Sequence, residues 1–234
     1  MRRLAGALAA LPLIVSGCSG SGDETTTVMV PSSFTDVTTD IDKARDVEIE
    51  WVIAGSSRLV RQLEDGADAD LLLTADAETM ADAAVRGLVD ESLGIVATNR
   101  LVLALAPGNP GGINRLEDIA RPALLIGICA SEVPCGRLAT EAAATWDLDI
   151  AADTEEPSVR ALALKIAAGE LDGGLVYATD ALAFNLETID NDRLAVFETE
   201  YPAAAIGDAS ISFFTFLTTS EGREILRDRG FGVP

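Results

Sequence analysis

Two periods of hydrophobic and polar positions alternate along the chain. Short apolar runs bounded by Gly, Pro or Asp mark strands, and stretches with apolar residues three or four apart mark helices. "VMVPSS" (residues 28–33) predicts a strand running into a turn, and "FTDVTTDIDKARD" (34–46) a short polar helix. "IEWVIAG" (49–55) predicts the next strand, followed by a helix over 57–64, a strand in "DLLLTAD" (70–76) and a helix over 78–86. "RLVLALAP" (100–107) reads as a long buried strand stopped by Pro107. The pattern then restarts: a helix near 116–119, a strand in "ALLIGIC" (123–129), helices over 136–146 and 159–168, and a strand in "GGLVYA" (173–178). This alternation predicts an α/β fold with mostly parallel sheets.

The β-rich segments at 101–107 and 201–206 lie about a hundred residues apart, so the part between them can close as its own α/β unit. The terminal helical stretch, "SFFTFLTTSEGREILRDRG" (212–230), then has to pack on the first unit. The expected architecture is two α/β domains joined by two crossing strands, with a ligand cleft between them. Its lobes are residues 28–102 with 205–234, and residues 103–204. Such clefts lie outside the carboxyl ends of the parallel strands, where helix N-termini converge.

Composition narrows the function. Acidic residues outnumber basic ones 38 to 17, for a formal net charge of −21. That excludes a broad electrostatic footprint for nucleic acid and argues against docking on anionic lipid through a basic face. The chain has no histidine, which removes the commonest general base and the commonest transition-metal ligand.

The first residues depart from the α/β pattern. Met1, Arg2 and Arg3 form a basic start, and residues 4–15 an apolar run too short to span a membrane. Val15-Ser16-Gly17-Cys18 resembles the lipobox of bacterial lipoproteins. The resemblance implies a signal peptide over 1–17, a lipidated Cys18 at the mature N-terminus and a polar tether over 18–27. The expected location is the extracytoplasmic face of the cell membrane, held by a lipid anchor. The other two cysteines, Cys129 and Cys135, flank "ASEVP" in an oxidising compartment, with no further ligands clustered nearby. They read as a short-loop disulfide rather than a metal site.

Chemistry-bearing residues gather at strand-to-helix junctions. Ser33 follows the first strand, and Ser56 and Ser57 follow the second. "VPCG" (133–136) opens one helix, Pro157, Ser158 and Val159 open another, and Tyr177 ends a strand. Singly, a serine before a helix is a cap, and Tyr177 is a core tyrosine with one satisfied hydroxyl. Together they offer hydroxyls and backbone N–H groups, which can hold a buried dianion without a counter-ion. These features define a two-lobed solute binder suited to an anion.

"PSSFTDV", "SSRLVRQLEDGADADLLLTAD", "VPCGRLATEA", "SVRALAL" and "GLVYATDA", in that order, resemble the molybdate/tungstate-binding proteins of bacterial ABC importers. The likeness covers most of residues 28–234 and is most specific in "RQLEDGADADLLLTAD". It implies the type II periplasmic-binding-protein fold and a tetrahedral oxyanion held without charged ligands. Carried over position by position, it implies ligand roles for Ser33, Ser56, Cys135, Val159 and Tyr177. Ser57 is a secondary site residue that can also help terminate its helix. The chain departs from the family at Pro31 and Ser32, where alanines are usual, and at Cys135, where a small apolar residue is usual. A Cys129–Cys135 bond would pin a binding loop.

The resemblance thus implies a lipid-anchored, monomeric binding protein that passes molybdate or tungstate to ABC permease subunits and needs no cofactor. The alternatives are the same fold holding sulfate, thiosulfate or another solute, and a sensor without transport. An enzyme is not expected, although Asp70, Asp76 and Asp180 are possible acid/base groups. The chain has no G-x-S-x-G elbow and no metal cluster.

Overall fold

The computed structural model describes residues 25–45, 48–150, 152–189, 191–207 and 212–234. The expected signal peptide, Cys18 and residues 18–24 of the tether lie outside the described residues.

The first strand, β1 (Thr26–Pro31), is buried over its last four residues and ends in a single 3-10 turn, Ser32–Phe34. Then come α1 (Thr35–Ala44), β2 (Ile49–Ala54), α2 (Ser56–Glu64), β3 (Leu71–Leu73) and α3 (Ala77–Val85). The longest strand, β4 (Glu91–Leu105), leads through a 3-10 turn at Leu116–Ala120 into β5 (Ile126–Cys129) and α4 (Pro134–Trp146). Next are β6 (Ala152–Glu156), α5 (Val159–Ala167), β7 (Gly173–Tyr177), α6 (Ala178–Ala183), β8 (Glu187–Ile189) and α7 (Asp192–Ala195). The chain closes with β9 (Glu198–Ala205), α8 (Ser212–Leu217) and α9 (Ser220–Asp228).

The strands run in the order β2-β1-β3-β9-β4-β7-β5-β6, with β8 also on β4. This is the two-lobed arrangement, and β4 belongs to both halves. Its segment from Glu91 to Arg100 pairs with β9, and Leu101 to Leu105 pair with β7. At the crossing, the Leu101 N–H donates to the Phe197 carbonyl at 3.0 Å. The second crossing therefore lies near Phe197, earlier than the apolar run at 201–206 suggested. All of β9 pairs on the first-lobe side, with β3 and β4.

The expectation of mostly parallel sheets needs correction. Pairs β1–β2, β1–β3, β5–β6 and β5–β7 are parallel. Pairs β3–β9, β4–β7, β4–β8 and β4–β9 are antiparallel. Every antiparallel pair among them contains β4 or β9, the strands that carry the chain between lobes against the direction of the βα units. The edge strand β6 had no apolar signature, since "ADTEE" is acidic. Charged edge strands resist pairing with other chains, which explains why hydropathy alone does not reveal it.

Apolar residues of the strands fill the core against the helices. Phe34, Tyr201 and Phe231 form an aromatic cluster with ring centroids 5.0–5.7 Å apart. This cluster anchors the turn after β1 to β9 and to the C-terminal segment, directly behind Ser33.

Candidate functional site

The carboxyl ends of β1, β2, β5, β6 and β7 converge on one small cavity between the lobes. Ser33, Ser56, Cys135, Val159 and Tyr177 all line it. Among the described residues, no charged side chain does. The cavity volume is about 10 Å³, near what one water needs, so an occupant has to be small. A sugar or peptide is far beyond that limit.

Each lining residue is placed by its local structure. Ser33 sits in the 3-10 turn, and its Oγ is 2.8 Å from the Tyr201 hydroxyl. Ser56 is the first residue of α2, with Gly55 in extended conformation as the N-cap. Neither serine of the pair caps the helix by its side chain. Instead, the Ala75 N–H donates to Ser56 Oγ at 3.0 Å, and Thr199 Oγ1 donates to the Ala75 carbonyl at 2.5 Å. The hydroxyl of Ser56 thus accepts from the protein and keeps its own proton for the cavity.

Pro134 opens α4 and Cys135 is its second residue. Proline has no N–H, so Cys135 carries the first backbone donor of that helix, in the turn whose N–H groups lack intrahelical partners. A disulfide joins Cys135 to Cys129 at the end of β5, with Cα atoms 5.7 Å apart. Gly136 permits this fold-back: a Cβ there would lie 1.9 Å from the Ala130 carbonyl oxygen. Val159 opens α5. The Ser158 hydroxyl beside it is occupied as the N-cap, accepting from the Ala161 N–H at 3.2 Å.

Tyr177 ends β7, is fully buried, and has a hydroxyl with no hydrogen-bond partner. Leaving a buried hydroxyl unpaired costs on the order of 1–3 kcal/mol, so this one points to a ligand as its partner. Burial also pushes its ionisation well above the usual tyrosine range, with the charges of Asp76 and Asp180 acting in the same direction. The group is therefore a neutral donor at physiological pH.

Ser57 does not join the others. Its hydroxyl donates to the Glu132 carbonyl at 2.7 Å, and the residue lines an open groove beside α2 and α3. The expected roles of secondary ligand and helix terminator give way to a bridge between lobes. Next to it, Arg137 of α4 reaches Asp76, Thr79 Oγ1 and the Glu132 carbonyl at 2.5–2.7 Å. On another flank, Arg160 of α5 pairs with Asp36 of α1 at 2.6 Å. Behind the cavity the backbones themselves meet: a Cβ on Gly55 would lie 2.7 Å from the Pro157 carbonyl oxygen.

Two of the three aspartates with acid/base potential are engaged in holding the backbone. Asp70 accepts from the Thr27 N–H at 2.7 Å, and Asp76 caps α3 through the Thr79 N–H at 2.8 Å. Asp180 differs: it is buried, its Oδ1 has no partner, and its carboxyl is pushed up to about 7 by burial. The charge of Arg160 acts against that rise, and Asp36 adds to it.

Sequence reasoning missed Asn99 and Tyr201, which stand behind Ser33. Tyr201 lies inside a strand and Asn99 inside another, with no local signal beyond polarity in an apolar run. One clue was available: the chain has two tyrosines, and both converge here, with ring centroids 6.5 Å apart.

A two-lobed fold with a small, uncharged, donor-lined cavity at its hinge defines a solute-binding protein. The chain belongs to the bacterial extracellular solute-binding protein family, whose model matches residues 26–232. It is 33% identical to the molybdate-binding protein ModA of Mycobacterium tuberculosis over 195 residues, 80% of this chain and 75% of that one. The periplasmic molybdate-binding protein of Azotobacter vinelandii has the same fold, with a TM-score of 0.75 at 16% identity over 89% of this chain and 99% of that one. The sulfate-binding protein SubI of Mycobacterium tuberculosis also shares it, with a TM-score of 0.73 at 17% identity over 88% and 86% of the two chains.

Proposed function

We propose that this protein captures molybdate, or the nearly isosteric tungstate, and delivers it to the permease subunits of an ABC importer. The observation that carries this reading is the unpaired Tyr177 hydroxyl in a cavity it shares with Ser33, Ser56 and the helix starts at Cys135 and Val159. Five neutral donors around a small space suit a tetrahedral dianion, because hydrogen bonds to a charged acceptor are worth about 1.5–3 kcal/mol each. The 33% identity to a molybdate-binding relative supports the choice of ion. The protein acts as a binder without catalysis, as a monomer, anchored outside the membrane through a lipidated Cys18. Its lobes are residues 28–102 with 205–234 and residues 103–204, with the return boundary moved to Phe197 so that β9 counts with the first lobe.

Sulfate is the competing ligand, since a sulfate-binding protein shares the fold. Calorimetric titration with molybdate, tungstate, sulfate, thiosulfate and phosphate separates the two. Tight one-to-one binding of molybdate or tungstate, with weak competition by sulfate, is expected. A preference for sulfate would overturn the ligand and leave the class standing.

A further inference from the structure

Ser33 does not face the cavity with a freely rotating hydroxyl. Asn99 Oδ1 accepts from the Arg100 N–H at 2.9 Å, which fixes the amide's orientation. Asn99 Nδ2 donates to the Tyr201 hydroxyl at 3.2 Å and to Thr179 Oγ1 at 2.8 Å. An amide NH2 cannot accept, so the Tyr201 oxygen must be the acceptor there. The Tyr201 proton is then directed to Ser33 Oγ, 2.8 Å away. Tyr201 is fully buried, and burial raises its ionisation above the usual tyrosine range, so that proton stays in place. With its oxygen occupied, Ser33 has its own proton left for the cavity it lines. The Ala75 N–H imposes the same polarity on Ser56.

We propose that Asn99 and Tyr201 are positioning residues: through Ser33 they hold the cavity as a donor-only site, which accepts fully ionised oxyanions and rejects those that carry a proton. The proposal rests on the oxyanion-binding reading above and deepens it. A fully ionised oxyanion offers acceptors alone, matching every group presented. Hydrogen phosphate brings a donor, and in this cavity that donor meets other donors. Neither Asn99 nor Tyr201 lines the cavity, so both act through Ser33.

A double-mutant cycle tests the relay. Tyr201→Phe should weaken molybdate binding about ten-fold in the parent and less than about two-fold in a Ser33→Ala background, because the tyrosine then has nothing to orient. An equal loss in both backgrounds would mean a structural role only and would overturn the proposal. Asn99→Asp provides a second test. The carboxylate would accept from Tyr201, reverse the relay and turn a Ser33 lone pair toward the cavity. At mildly alkaline pH both molybdate and hydrogen phosphate are dianions, so the added charge repels them alike and the affinity ratio isolates proton polarity. The ratio of molybdate to hydrogen phosphate affinity should fall at least ten-fold. A ratio held at the parent's value would overturn the relay even if both affinities drop. A parent that binds no oxyanion would overturn the underlying reading and the relay together.

Discussion

Arg137 of α4 holds the Asp76 carboxylate at 2.5 Å, and Asp76 simultaneously caps α3 by accepting from the Thr79 N–H at 2.8 Å. One carboxylate thus ties the start of a first-lobe helix to a guanidinium from the second lobe. The pair is mostly shielded from solvent, with side chains 24% and 15% exposed, so it should count for more than a surface ion pair. Arg137→Met should speed ligand release and weaken affinity about three- to ten-fold, with little change in the association rate. Stopped-flow kinetics would show it. A variant with the parent's release rate would mean that the pair does not help to hold the lobes together.

Gly55 and Pro157 meet backbone to backbone across the same gap. Gly55→Ala places a methyl carbon 2.7 Å from the Pro157 carbonyl oxygen, closer than van der Waals contact, while its backbone φ of −62° suits alanine. The substitution should therefore leave the melting temperature of the ligand-free protein nearly unchanged and weaken molybdate binding at least ten-fold. Parallel calorimetry and thermal melting check both parts. Parent-like affinity would show that lobe contact at this point is dispensable.

Asp180 makes stability and binding pH-dependent. Its carboxyl is raised from an ordinary 3.8 to about 7, chiefly by burial, so the folded protein binds a proton that the unfolded chain releases. Its contribution to stability is fully present below about pH 3.8 and is lost as pH rises through about 7. The upper bound on that loss is roughly 4 kcal/mol. Asp180→Asn should flatten the stability profile between those limits, as measured by denaturant unfolding. The ionised carboxylate also acts on Tyr177 and Tyr201, so it should repel a dianion in the cavity. With Asp180 in place, affinity should weaken as pH rises through 7, and the asparagine variant should lose that trend.

The Cys129–Cys135 bond closes a short loop that carries the Cys135 N–H. Closing a loop of this length stabilises by roughly 2 kcal/mol. Replacing both cysteines with alanine should lower the melting temperature by several degrees and weaken ligand binding by a few-fold, because the donor at Cys135 is less firmly held. A larger effect on affinity than on stability would point to positioning as the main role of the bond.

Most of the cavity was legible because its groups sit where sequence punctuation is strongest. Ser33, Ser56, Cys135, Val159 and Tyr177 each mark the boundary between an apolar run and an amphipathic stretch, and the topology gathers those boundaries. What escaped was everything set by contacts distant in sequence. Tyr201 meets Ser33 across 168 residues, and Asn99 meets Tyr201 across 102. Ser57 stands at the same junction as Ser56 and read as a secondary site residue, yet one step along the helix turns its hydroxyl to Glu132. The reversal of β4 and β9 was equally hidden, because an apolar strand carries no mark of its direction.

The central claim is that neutral donors hold a dianion here, and Tyr177 tests it most directly. Tyr177→Phe removes a hydroxyl that is buried and finds no partner within the protein, so thermal stability without ligand should hold or rise. Calorimetric titration with molybdate should then show affinity about ten- to a hundred-fold below the parent's. Equal affinity in the two proteins would contradict the account.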